Sequence, residues 1–262
     1  MEWNHRMAIT IRIFQNADDA GIYVASIAEM VIRQQQHPVL GLATGSTPIP
    51  FYKALVNLYD CGLDLSHVTT VNLDEYVGLS GDHPQSYRYF MQEQLFSKTN
   101  LHQQNTHVPN GVADDLMQEC HRYDQILQKH MIDFQILGIG LNGHIGFNEP
   151  SDTLLAKTHV VHLKEATVKS NARFFESIEQ VPNQAITMGV QAILQAKKIV
   201  LMAFGEEKSS IIEQVILGDV STNIPASILQ LHQDIHFVLD VASASKLLAN
   251  EKAKKTLGLK VR

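Results

Sequence analysis

The chain has 262 residues, 45% of them apolar, enough to build one sizeable α/β core. A formal net charge of -6 leaves no overall basic field, so neither nucleic acid nor a membrane surface is an expected partner, and an anionic ligand must be held by a local pocket. Two distant cysteines, Cys61 and Cys120, predict ordinary thiols in a reducing compartment, and no long apolar run follows Met1–Met7; a cytoplasmic protein without signal peptide or anchor is expected.

In chain order the apolar pattern predicts a strand over Ala8–Phe14, a helix over Ala17–Gln35, a strand over Val39–Ala43 and a helix over Pro48–Tyr59. A strand over Val68–Leu73 precedes helices over Pro84–Leu95 and Asp114–His130. Strand Phe134–Gly138 follows, then strand Thr158–Leu163, helix Glu165–Phe175 and helix Val190–Gln195. Strand Lys198–Phe204, helix Glu206–Leu217 and strand Ile235–Leu239 complete the pattern. Continuously apolar runs such as Ile199–Phe204 suit strands covered on both faces, the habit of parallel sheets. Alternation of this kind predicts a doubly wound, mostly parallel, Rossmann-like α/β sheet with helices on both faces. One domain over 1–262 is expected, with 1–7 and about 243–262 peripheral, the latter a frayed helix or tail.

Ligands of such folds bind beyond the carboxyl ends of the strands, and the chemistry-bearing residues lie there. Thr44-Gly45-Ser46-Thr47-Pro48 follows a strand: Gly45 permits a sharp turn, Thr47 suits an N-cap and Pro48 the first helical position. Such a turn is either an anion site at a helix N-terminus or a plain cap. Asn72-Leu73-Asp74-Glu75-Tyr76 places two adjacent carboxylates after a buried strand, which calls for hydrogen bonding or use; an N-cap with a solvated neighbour is the plainer alternative. Gly138-Ile139-Gly140-Leu141-Asn142-Gly143-His144-Ile145-Gly146-Phe147-Asn148-Glu149-Pro150 predicts a close-packed loop holding a titratable histidine and a carboxylate able to orient it. Its glycine spacing is wrong for a dinucleotide. Arg173 and Lys208 are candidate phosphate clamps or ordinary surface charges.

Together these segments, with His83-Pro84-Gln85-Ser86-Tyr87, Asn171-Ala172-Arg173-Phe174-Phe175, Val181-Pro182 and Phe204-Gly205, resemble the glucosamine-6-phosphate deaminase (glucosamine-6-phosphate isomerase) family over nearly the whole chain to about Asp240. The resemblance implies conversion of an aminosugar 6-phosphate and water to fructose 6-phosphate and ammonia, in amino-sugar catabolism, with no metal or cofactor required. It implies Asp74 as the base at C2, His144 as the ring-opening catalyst with Glu149 beside it, and phosphate held near Thr44, Gly45, Ser46, Thr47, Arg173 and Lys208. Glu75 receives no role from it.

One departure stands out. Many family members carry an acidic residue just before Gly143-His144, and here that residue is Asn142, included in the catalytic set because a neutral amide can still orient His144. Either ring opening is then expected to be slower, or Glu149 is expected to carry the charge alone. The rival readings are a deaminase for the galactosamine epimer, a 6-phosphogluconolactonase-like hydrolase, and a non-catalytic sugar-phosphate sensor. For the last, the few residues before the first strand are not expected to form a helix-turn-helix module, and the retained Asp74 and His144 argue for catalysis. Some relatives are hexamers regulated by an acetylated sugar phosphate and shorter ones are monomers; the oligomeric state is left open and no allostery is expected.

Overall fold

Four-residue runs such as Val39–Leu42, Thr69–Asn72 and Phe134–Leu137 are buried at every position, which demands that both faces of each strand be covered. The computed structural model describes residues 8–172 and 175–262 and places these runs at the centre of a sheet. In chain order come β1 (Ala8–Phe14), α1 (Ala17–Gln34), β2 (Val39–Leu42), α2 (Ile49–Asp60), β3 (Thr69–Asn72) and β4 (Asp74–Tyr76). Then follow α3 (Tyr87–Gln94), β5 (Thr106–His107), α4 (Leu116–Lys129), β6 (Phe134–Leu137), β7 (His159–His162) and α5 (Glu165–Asn171). The chain continues through β8 (Gln184–Thr187), α6 (Val190–Gln195), β9 (Ile199–Ala203), α7 (Ser209–Leu217), β10 (Asp234–Asp240), α8 (Ser245–Ala249) and α9 (Glu251–Leu257).

Seven strands form one sheet in the order β1-β10-β9-β6-β2-β3-β5, and every pairing in it is parallel. The expected doubly wound, mostly parallel sheet is therefore present. A second, antiparallel sheet of order β4-β8-β7 was not anticipated. The predicted strand Thr158–Leu163 goes there, as β7, because its half-exposed residues do not suit a central parallel strand. The short strands β4, β5 and β8 carry too few apolar residues to show a period.

The main core lies against the large sheet, with Phe51, Tyr52, Phe134 and Phe237 among its largest buried side chains. A smaller cluster of Tyr76, Phe147, Leu163 and Ala185 sits with the second sheet. The chain beyond Ser243 is more ordered than a frayed tail: Leu247 and Leu259 are buried, and the Arg262 N–H donates to Ile13 C=O at 2.8 Å, beside a bridge between Ile13 and Val261. Among the described residues no helix is long and apolar enough to cross a membrane.

Candidate active site

The order of the large sheet decides where the motifs meet. From β2 the chain moves outward to β3 and β5, then returns to the other side of β2 for β6 and β9. The crevice at such a reversal is where open α/β sheets bind ligands. The turn after β2, the carboxylates after β3 and the glycine-rich loop after β6 thus leave three adjacent strands at the same end. Two buried tyrosines brace those strand ends. Tyr52 of α2 donates to Ala43 C=O at 2.6 Å, and Tyr123 of α4 donates to Asn72 C=O at 2.7 Å. The result is a cleft of about 400 Å³.

Thr44, Gly45, Ser46 and Thr47 line one side of this cleft. Gly45 has φ +88°, a left-handed conformation that favours glycine, so the sharp turn is as expected. Thr47 is not the N-cap: α2 starts at Ile49 with Pro48 in the cap position and no side-chain cap bond. The turn overshoots by one residue because the Ile49 N–H already reaches Ser46 C=O at 3.4 Å. Pro48 and Pro50 carry no N–H, so the donors available to an anion are those of the turn and its hydroxyls. Lys208 lines the same cleft from a 3-10 turn after β9, and its Nζ donates to Ile139 C=O at 2.8 Å. Arg173 lies outside the described residues.

Asp74 sits on β4 rather than at the end of β3, because the chain breaks at Leu73 and enters the second sheet. Only 6% of Asp74 is exposed, yet it lines the cleft. Burial first, and the neighbouring Glu75 second, push its carboxyl up to about 8. A methyl added at Gly146 would stand 3.4 Å from Asp74 Oδ2, so the glycine-rich loop passes directly over this carboxylate.

Glu75 turns away from the cleft and is not solvated. Its carboxylate accepts the N–H groups of Tyr76 at 2.8 Å and of Tyr87 and Arg88, both at 2.9 Å, thereby anchoring the first turn of α3. Burial nevertheless pushes it up to about 7, against those hydrogen bonds and Arg88. Helix α3 itself begins at Tyr87, later than Pro84, because Ser86 supplies the N-cap by accepting from the Tyr89 N–H.

The glycine-rich loop holds the remaining groups. His144 lines the cleft, and its Nδ1 is buried 3.4 Å from Glu149 Oε1, an ion-pair distance at which no aligned hydrogen bond has formed. That leaves the other edge of the ring for the cleft. Asn142 Nδ2 donates to Glu149 Oε2 at 2.6 Å, and its Oδ1 accepts the backbone N–H of His144 at 3.2 Å. Burial raises the Glu149 carboxyl, but His144, Thr167 and Asn142 together outweigh it and hold the group at about 2. Glu149 is therefore an anion held behind His144. Asn142 thus bridges the Glu149 carboxylate and the His144 backbone, and an amide can donate to Glu149 where a second carboxylate would repel it. Gly140 is required by proximity: an added methyl would lie 2.2 Å from His144 Cε1.

Sequence reasoning missed Thr167 of α5, which lines the cleft, and the aromatic wall of Tyr76, Tyr87, Phe147 and Phe175. Rings at such scattered positions carry no periodic signal. Thr187 on β8, whose hydroxyl accepts the Phe147 N–H at 3.1 Å, was missed for the same reason.

Known proteins share this arrangement of elements. The family model for glucosamine-6-phosphate isomerases/6-phosphogluconolactonase matches residues 14–237. A glucosamine-6-phosphate deaminase of Thermoanaerobacter sp. (strain X514) is 49% identical over 241 residues, covering 91% of this chain and 95% of that protein. One from Clostridium perfringens (strain 13 / Type A) is 52% identical over 219 residues, covering 83% and 90%. The solved structure of a monomeric glucosamine-6-phosphate deaminase superposes with a TM-score of 0.88 at 42% identity, covering 90% of this chain and 99% of that one. A 6-phosphogluconolactonase from Trypanosoma brucei has a TM-score of 0.73 at 18% identity, covering 92% and 100%, a likeness of fold alone.

Proposed function

The chain belongs to the family of glucosamine-6-phosphate isomerases and 6-phosphogluconolactonases, and from that premise we propose that it is a glucosamine-6-phosphate deaminase. The observation that carries this reading is a buried carboxylate of raised proton affinity, Asp74, sharing one cleft with the His144–Glu149 pair.

The closed sugar has no acidic carbon proton, so the ring must open first. His144 moves the proton between the anomeric hydroxyl and the ring oxygen, and Glu149 stabilises the charge that the imidazole gains in passing. The C1 aldehyde then acidifies the hydrogen at C2. Asp74 takes that proton and returns it to C1 through an enolamine, which turns the C1 aldehyde into an alcohol and the C2 amine into an imine. Water adds to the imine, and ammonia leaves the ketone of fructose 6-phosphate.

A free carboxylate at about 3.9 would be a feeble base. At about 8, Asp74 both accepts and releases a proton near neutral pH, as a shuttle between two carbons requires. The hydroxyls of Thr44, Ser46 and Thr47, with Lys208 and Arg173, are assigned to the phosphate, whose capture sets C1 and C2 against Asp74.

The test is release of ammonia and fructose 6-phosphate from glucosamine 6-phosphate, run beside the galactosamine epimer and Asp74→Asn. The reading expects release by the natural protein and loss in Asp74→Asn, and the epimer turned over faster identifies the preferred substrate. Lactone hydrolysis without ammonia release would overturn it in favour of the fold's other chemistry.

A further inference from the structure

Glu149 Oε1, the oxygen that faces His144, accepts a hydrogen bond from another residue. Thr167 Oγ1 donates to it at 2.5 Å, whereas His144 Nδ1 stands 3.4 Å away. The other oxygen, Oε2, is taken by Asn142 at 2.6 Å. Thr167 is buried on α5, the short helix between the strands of the second sheet, and lines the cleft. Lys164, just before α5, donates from Nζ to Pro150 C=O at 2.5 Å. The start of the helix is therefore tied to Glu149-Pro150 at two adjacent points.

We propose that Thr167 is a positioning residue for the ring-opening pair: its hydroxyl holds the Glu149 oxygen that faces His144 and so divides that carboxylate between two partners. The inference rests on the deaminase reading for its effect on turnover, but not for its effect on His144. A hydrogen bond to an anionic oxygen withdraws part of the charge a second donor would meet. With Thr167 in place, Glu149 steadies the imidazole without locking the proton on it. With Thr167 absent, Oε1 has His144 as its remaining donor, the 3.4 Å gap closes, and the imidazolium is favoured. Any displacement of α5 acts on His144 through the same oxygen. The other charged groups around the pair are Lys164 at the Pro150 carbonyl and Asp74 and Lys208 lining the cleft, and none of them donates to Oε1.

The experiment compares the natural protein with Thr167→Val, which keeps the volume and removes the hydroxyl, and Thr167→Ser, which keeps the hydroxyl. Thr167→Ala replaces the valine variant if the latter packs badly. The His144 ring is titrated by NMR in the substrate-free protein, assigned by its loss in His144→Gln, and kcat/KM is followed against pH. Thr167→Val is expected to shift the ring signal of His144 in the direction of a tighter contact with Glu149, so that it changes at higher pH than in the natural protein. The corresponding limb of the pH profile should move with it, and Thr167→Ser should follow the natural protein. A titration unmoved in Thr167→Val overturns the proposal, whether or not activity falls. So does a serine variant that behaves like valine. A shifted titration in a protein that releases no ammonia would support this inference while sinking the deaminase reading.

Discussion

Replacing Asp74 by asparagine should abolish turnover and stabilise the fold, and the two effects have one cause. The carboxyl sits at about 8 in the folded protein, against an ordinary value of 3.8, because burial and Glu75 disfavour its charge. Its contribution to stability is therefore fully present below 3.8 and lost as pH rises through about 8, after which it is constant. At about pH 7 the unfolded chain ionises freely while the folded one does not, and at about 1.4 kcal/mol per unit this costs about 4 kcal/mol. Asparagine has no charge to lose, but its extra N–H groups need partners, a penalty of about 1–3 kcal/mol. The expected net gain near neutral pH is about 1–3 kcal/mol. That corresponds to a rise in Tm of roughly 2–4 °C per kcal/mol for a chain of this size. Urea melts of both proteins at about pH 5, 7 and 9 would measure it. The advantage of Asp74→Asn should widen from pH 5 to about 8 and then level off. A difference that does not change with pH, or a variant less stable throughout, would refute the argument that Asp74 is held against its ionisation.

Glu149 should show the opposite sign. Its carboxyl is depressed from 4.5 to about 2, so its stabilisation is present above 4.5 and lost as pH falls through about 2. Glu149→Gln is expected to cost about 1–2 kcal/mol at neutral pH, allowing for solvent screening, with the gap to the natural protein closing toward about pH 2 in the same melts. Gly140→Ala should test the placement of His144 alone: a methyl 2.2 Å from Cε1 must push the ring aside. A displacement of this order is expected to lower kcat by roughly a hundredfold, measured as ammonia release, while the circular dichroism spectrum stays native.

Much of this protein was legible in its local pattern. The bounds of β1 and α6 follow from apolar spacing, and continuously apolar runs such as Ile199–Phe204 announced a parallel sheet. The turn at Thr44–Pro48, the carboxylate pair and the glycine-rich loop were visible as departures from that pattern, and their likeness to one family gave them roles. What the sequence determined by itself was therefore the set of chemical groups and the strand ends that present them.

Tertiary structure decided how those groups behave. It moved Asp74 onto a second sheet, gave Glu75 to the N–H groups of Tyr87 and Arg88, twelve and thirteen residues away, and brought Thr167 from eighteen residues away to the oxygen facing His144. A side chain's periodicity depends on its neighbours in the chain, so it can be read from them. Its proton affinity and hydrogen-bond partners depend on how much water is excluded and on which distant dipoles and charges arrive, and only the folded backbone sets those distances.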